Sequence, residues 1–224
     1  STVSADRETL TDNFGKFTIE PFEKGFGHTI GNGLRRVLLS SIEGFAVTSV
    51  QIEGVTHEFS TIKGVMEDVT DVVLNLKGLL VELESSDRVE LRAARSKKGQ
   101  LKAGDIEPVA GVRILNPEHL LCTLTDDVSV ALTITVARGR GYVTAEEHES
   151  EERVIGVISI DSNFSPVTRV RYRIEETRVG KITNYDRLVL EVWTDGTVSP
   201  EDALVEASRI YRKHLNAFVH YYDS

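Results

Sequence analysis

The chain has 224 residues, with 26 Lys+Arg against 35 Asp+Glu, a formal net charge of −9 and a single cysteine, Cys122. That length supports one large domain or two small ones without a disulfide or metal staple, and the acidic balance argues against a general nucleic-acid binder. One cysteine excludes an internal disulfide framework and fits a reducing compartment, while the longest uncharged stretches, such as Val128–Ala137, are about ten residues and too short to span a bilayer.

No cationic-then-apolar leader is visible over Ser1–Leu10, and a first residue of Ser rather than Met reads as a trimmed end. Lys16–Pro21 alternates apolar and polar residues and predicts a strand. Gly25, Gly27, Gly31 and Gly33 follow, and Ile30, Leu34, Val37, Leu38 and Ile42 then recur at helical spacing, which predicts a helix over Thr29–Ser41. Phe45–Glu53 alternates again. A second helix is expected over Val65–Leu76, with Glu67 and Asp68 in its first turn, where the helix dipole favours anions.

From Leu79 to Val136 the pattern is β-rich, with strands expected at Leu79–Leu83, Val89–Ala93, Val112–Ile114 and Val128–Val136. Ser96–Gly104 reads as a small basic loop and Thr144–Arg153 as an acidic one. Further strands are expected at Val154–Ile160, Thr168–Glu175 and Leu188–Trp193. A long helix closes the chain: Ser199 suits the N-cap, Pro200 the first helical position, and Leu204, Ala207, Tyr211, Leu215 and Phe218 follow 3/4 spacing. This order is α+β rather than alternating βαβ. It suits a discontinuous arrangement: residues 1–43 with 171–224 form one domain, and 44–170 form an inserted β-rich second domain.

Chemistry-bearing motifs are sparse. In Gly25-Phe-Gly27-His-Thr-Ile-Gly31 the third glycine comes one residue too late for a dinucleotide fingerprint. Gly31 and Gly33 inside a helix each cost about 1 kcal/mol against Ala, so something must press closely on that helix. Gly180-Lys181 lacks the rest of a phosphate-binding loop. His57-Glu58 lacks a second His four residues on, and His28, His119, His148, His214 and His220 are scattered, so no metal site is expected. Cys122 lies in an apolar run and suits core filling. No nucleophile–base–orienter set is legible; the alternative of a small-molecule enzyme would rest on a carboxylate or His57. A DNA-binding regulator is disfavoured by the net charge and the lack of a helix-turn-helix signature. Arg35 and Arg36 flank the apolar stripe of the first helix and suit either solvent or a partner's carboxylates and carbonyls. Arg169, Arg171 and Arg173 share one strand face, which implies an anionic partner or interleaved carboxylates.

The segment His28-Thr29-Ile30-Gly31-Asn32-Gly33-Leu34-Arg35-Arg36-Val37-Leu38-Leu39-Ser40-Ser41 resembles the N-terminal domain of the alpha subunit of bacterial RNA polymerase. The resemblance continues at Val55–Thr61, Glu67-Asp68, Leu74–Leu79, Arg138–Val143, Phe164–Val167 and Trp193–Thr197, in collinear order. It implies a dimerisation domain built from both chain ends and an inserted second domain, in a cytoplasmic, nucleoid-associated complex without membrane contact. It implies a homodimer through Phe26, Ile30, Leu34, Val37 and Leu38 of the first helix and Tyr211, Leu215 and Phe218 of the last. It implies a beta-subunit contact at Arg36 with Leu39, beside Arg35, and beta-prime contacts at Lys77, Ile160, Val167 and Arg187. Arg187 stands where a relative has Lys, and Gly33 where relatives often have Ala or Pro.

The resemblance also implies a scaffold subunit of DNA-directed RNA polymerase that nucleates assembly for transcription and carries no catalytic residue, metal or cofactor of its own. The catalytic aspartates and magnesium are expected in the beta-prime subunit. The family's linker and C-terminal DNA-binding domain would lie beyond Ser224 and are absent from this sequence, so DNA is met only through that domain or the assembled complex.

Overall fold

A computed structural model describes residues 1–149 and 154–223. Its elements begin with β1 (Thr2–Ala5), β2 (Phe14–Glu23), α1 (Phe26–Ser40) and β3 (Glu43–Ile52). Next come α2 (Val69–Lys77), β4 (Val81–Leu83), β5 (Arg88–Arg95), β6 (Gly99–Lys102), β7 (Val112–Ile114), β8 (Leu120–Leu124) and β9 (Val130–Arg140). Then follow β10 (Tyr142–Val143), α3 (Ala145–Glu149), β11 (Val157–Ser159), β12 (Ser162–Asn163), β13 (Val167–Val179), β14 (Ile182–Thr194) and α4 (Pro200–Val219). The class is α+β.

The chain divides into two compact units, 1–42 with 165–224 and 43–164. The second seam falls before Ser165, six residues ahead of the expected 170/171, because Val167 and Val170 already lie in the core of the first unit and pair with Thr194 and Val192 of β14.

In the first unit an antiparallel sheet of order β1-β2-β14-β13 carries α1 and α4. Strand alternation puts Leu188, Leu190 and Val192 of β14 on one face, in register with Ile19, Phe17 and Gly15 of β2. Those side chains are buried with Leu34 and Leu38 of α1 and Leu204 and Ala207 of α4. Gly31 is required by this packing: a Cβ there would meet the Tyr172 ring at 2.8 Å and Leu188 at 2.9 Å. The helix thus lies closer to the sheet than any side chain allows, which offsets the propensity cost of glycine.

α1 starts at Phe26, three residues earlier than the spacing predicts. Gly25 precedes it at φ 92, and the Asp186 carboxylate accepts hydrogen bonds from the Gly25 and Gly27 N–H groups at 2.9 and 3.1 Å. A buried anion from β14 therefore satisfies the first orphan donors of the helix. No local cap marks this start in the sequence, because the capping group lies on a strand far along the chain.

The second unit is built on a sheet of order β11-β3-β9-β5, with the smaller pairs β4-β7, β6-β8 and β10-β12. β9 is hydrogen-bonded on both sides, to β3 and β5, and its residues from Val130 to Val136 are buried on both faces save for the half-buried Thr133. Val50, Ile52, Leu91, Leu132 and Ile134 from the sheet and Val72 and Leu76 from α2 share one core. α2 begins at Val69 rather than Val65. Asp68 is its N-cap, accepting from the Asp71 N–H at 2.9 Å, while the Glu67 carboxylate is drawn away to the Thr123 N–H and hydroxyl. The expected basic loop over Ser96–Gly104 contains β6, whose Leu101 faces Cys122 of β8. In the expected acidic loop, 145–149 is helical, and 150–153 lie outside the described residues.

Candidate subunit-contact surfaces

The apolar stripe of α1 serves two purposes. Leu34 and Leu38 are buried against the unit's own sheet, so these two side chains are core and not available to a second copy. The reason is angular: with Gly27 and Gly31 they share one side of the helix at about 100° per residue. Ile30 and Val37, on the adjoining flank, are only partly buried, and Phe26 is 53% exposed. Tyr211 of α4 lies over Gly33, where a Cβ would stand 2.5 Å from its hydroxyl.

α4 is capped as expected: the Ser199 hydroxyl accepts from the Asp202 N–H at 3.1 Å. Its first half buries Ala203, Leu204 and Ala207. In the second half only Ile210 and Tyr211 are partly buried, and every residue from Arg212 to Val219 is exposed. Leu215, Phe218 (80% exposed), Val219 and then Tyr222 (93%) follow one another at spacings of three, one and three residues, the signature of a helix face made for another surface. Val219, Tyr221 and Tyr222 were not picked out from the sequence, although Val219 and Tyr222 continue the 3/4 rhythm of Leu215 and Phe218.

Arg35 and Arg36 are exposed, and neither makes an ion pair among the described residues. Arg36 lies about half a turn from the buried side of α1. It lines a shallow groove of about 450 Å³ with His28, Asn32, Val37 and Tyr211. At the rim the Tyr172 hydroxyl and His28 Nδ1 are 3.0 Å apart. Leu39 is half-buried against the unit's own core.

Of the four expected beta-prime contacts, Lys77 and Ile160 lie in the second unit and Val167 and Arg187 in the first. Ile160 (1% exposed) and Val167 (4%) are core side chains of the second and first unit respectively, so neither side chain is a surface anchor. Ile160 lies between the short strands β11 and β12, and Val167 opens the long strand β13 with its side chain turned inward. Lys77, at the end of α2, is partly exposed, with its Nζ 4.0 Å from Asp161. Arg187 is already engaged: its Nε donates to Glu20 at 2.6 Å and its Nη1 to Glu175 at 3.4 Å. The Arg187 guanidinium holds the Glu20 carboxyl below the usual carboxylate range, and Arg173 does the same for Glu175.

Elsewhere the geometry is structural. His57 has both ring nitrogens near the Ser60 hydroxyl, at 3.2 and 3.3 Å, and no carboxylate among the described residues orients the ring. The pair sits beside a cleft of about 890 Å³ in the second unit, lined by His57, Glu58, Phe59, Glu149, Ile155 and Asp161 among others. Cys122 is fully buried, and burial pushes its thiol up to about 11, which suits a core filler. Among the described residues no group of three or more His, Cys, Asp or Glu is placed to hold a metal ion, and no helix is long and apolar enough to cross a membrane.

Comparison with known proteins places this architecture. Residues 50–165 match the family described as the RNA polymerase Rpb3/RpoA insert domain, which covers most of the second unit. Over 99% of its length the chain is 53% identical to a DNA-directed RNA polymerase subunit alpha of Rhodopirellula baltica, covering 67% of that relative. Subunits of the same name from Pelobacter propionicus and Moorella thermoacetica are 47% and 49% identical over 96% and 94% of the chain, which covers 64% and 67% of them. The chain belongs to the family of DNA-directed RNA polymerase alpha subunits. It spans about two thirds of the length of these relatives.

Proposed function

We propose that this chain is a homodimeric scaffold of bacterial DNA-directed RNA polymerase, on which the beta and beta-prime subunits assemble for transcription in the cytoplasm. The observation that carries the reading is the exposed stripe Leu215, Phe218 and Val219 on the second half of α4, continued by Tyr222 just past its end, with Phe26 exposed on α1. An isologous contact between two copies would bury these residues and explain why a regular helix leaves them in water. Ile30, Val37 and Tyr211 stand on the flank beside them.

Arg36 is assigned to the beta subunit. An unpaired guanidinium opposite the buried side of α1, beside Asn32 and His28, supports a planar fork that grips a carboxylate or backbone carbonyls. Lys77 and Arg187 remain the candidates for beta-prime among side chains that reach the surface. The chemistry of nucleotide incorporation, with its aspartates and magnesium, is assigned to beta-prime, and DNA contact to the assembled complex or the family's C-terminal domain. The isolated chain is therefore expected to add no nucleotide to a primer on any template.

The assignment is tested by size-exclusion of the chain with the beta subunit. Arg36→Ala should leave the chain-to-chain contact intact and weaken beta binding by about 2–5 kcal/mol, the cost of losing one partner of a desolvated pair. Arg36→Lys should recover only part, since one ammonium does not reproduce a planar fork. Arg35→Ala, about 100° away on the helix, is the internal control. Wild-type affinity for beta in Arg36→Ala would sink the assignment.

A further inference from the structure

The sheet of the first unit has a second face, turned away from α1. Register lays it out as rungs across β2, β14 and β13. Phe14, Trp193 and Arg169 form the first, Lys16, Glu191 and Arg171 the second, and Thr18, Val189 and Arg173 the third. Glu20, Arg187 and Glu175 form the fourth. Five cations thus stand against three carboxylates, in a chain whose net charge is −9.

The carboxylates are not shared evenly. Arg187 takes Glu20 and Glu175, and Arg173 takes Glu175 at 3.0 Å and Glu191 at 3.5 Å. The fourth and third rungs are therefore neutralised within the chain. At the other end Arg171 and Lys16, although directly across from Glu191, make no ion pair among the described residues. Arg169 lies over the Trp193 ring, 4.8 Å from its centroid, and Phe14 tilts against the same ring at 4.9 Å. The indole fixes one guanidinium in a plane and leaves its outer N–H groups free.

We propose that this end of the sheet face, Arg169, Arg171 and Lys16 around Trp193, docks a short acidic segment of a partner protein. Charge complementarity identifies the occupant. Carboxylates on a flexible segment can fork onto Arg171 and Arg169 while its backbone lies on the aromatic pair. A nucleic acid fits worse: a phosphodiester backbone needs a run of uncompensated cations, and here Glu191, Glu175 and Glu20 continue the same surface. The assignment is independent of the α4 contact and of Arg36, which belong to other faces of the unit.

Trp193 is the only tryptophan of the chain, so its fluorescence reports this face directly. The experiment titrates the full chain at low salt with a synthetic ten-residue peptide of Glu and Asp, and in parallel with a single-stranded thymidine decamer. The expected result is a saturable change with the peptide, weakened by added salt. Arg171→Glu and Lys16→Glu should each weaken it about tenfold, with a single cooperative unfolding transition retained in both. Arg187→Met, whose cation is already paired inside the chain, should change it less than about threefold. No saturable change with the peptide, an unaltered response in the Arg171 and Lys16 variants, or a stronger response to the thymidine decamer would each overturn the proposal.

Discussion

The inserted unit and the unit made from both chain ends dispose of their apolar residues in different ways. In the insert, α2 and the sheet close on a core containing Leu76, Leu91, Leu132 and Ile134, and the large apolar side chains left outside are scattered: Phe59, Met66 and Ile155 stand in connecting segments, Leu74 on α2 and Tyr142 on β10. In the other unit the helix that completes the core outruns it. α4 buries Leu204 and Ala207 and then carries Leu215, Phe218 and Val219 into water at regular helical spacing. Scattered exposed apolars need no explanation, whereas a periodic exposed stripe is a face without its partner. The comparison teaches that the insert closes on its own core, while the terminal unit carries a regular apolar helix face beyond its core, which the proposed second copy would cover.

The largest effect should come from emptying the closed core. Leu132 is fully buried in β9 between two neighbouring strands, so Leu132→Ala should cost about 2–5 kcal/mol in chemical denaturation. If the insert is closed as described, that loss should be independent of protein concentration. A loss that shrinks on concentrating the protein would make the insert part of the copy-to-copy contact and erase the contrast.

A smaller effect separates the two helical glycines of α1. Gly31→Ala would press a Cβ into the Tyr172 ring and the fully buried Leu188, and should cost about 1–3 kcal/mol. Gly33→Ala would meet only the hydroxyl end of Tyr211, a partly buried side chain able to swing aside, and should cost less than about 1 kcal/mol. Equal costs in thermal unfolding would show that α4 is held as rigidly as the sheet.

The smallest effect is on the charged sheet face. Glu20 and Glu175 are held below the ordinary carboxylate range, by Arg187 and by Arg173 respectively. A carboxylate depressed in the folded state contributes stability that is present above its unfolded pKa, about 4.3, and is lost as pH falls through the lower folded value. Acidification through those lowered folded values should therefore release the pairing of Arg187. Arg187→Met should unfold close to the wild type at pH 7 and lose less on acidification. A large destabilisation at pH 7 would mean that this network organises the unit rather than decorating it.

Much of the fold was legible because its signals are local. Ser199-Pro200 announces α4, the alternation around Val130–Val136 announces β9, and the order of elements points to a unit closed by both chain ends. What was not legible depends on distant residues. The start of α1 is set by Asp186, the two short strands β6 and β8 make sense only as a pair, and Glu67 leaves the first turn of α2 for Thr123. The same division runs through the candidate contacts. That Arg36 lies off the apolar stripe follows from the helical wheel alone. Leu34, Leu38, Ile160 and Val167 are apolar residues whose side chains the core claims, and nothing in their own segments says which apolar residue turns inward. Arg187 reads as a free cation until Glu20 and Glu175 are brought to it across the sheet.

The central claim is that the second half of α4 is a surface completed by another copy. Light scattering of the chain at micromolar concentration tests it most directly, paired with Phe218→Asp, which places a charge on the exposed stripe without touching either core. The account predicts twice the chain mass of 24.9 kDa for the wild type and 24.9 kDa for the variant, with the unfolding of the insert unchanged between them. A wild-type mass of one chain, or a Phe218→Asp variant still at twice that mass, would contradict it.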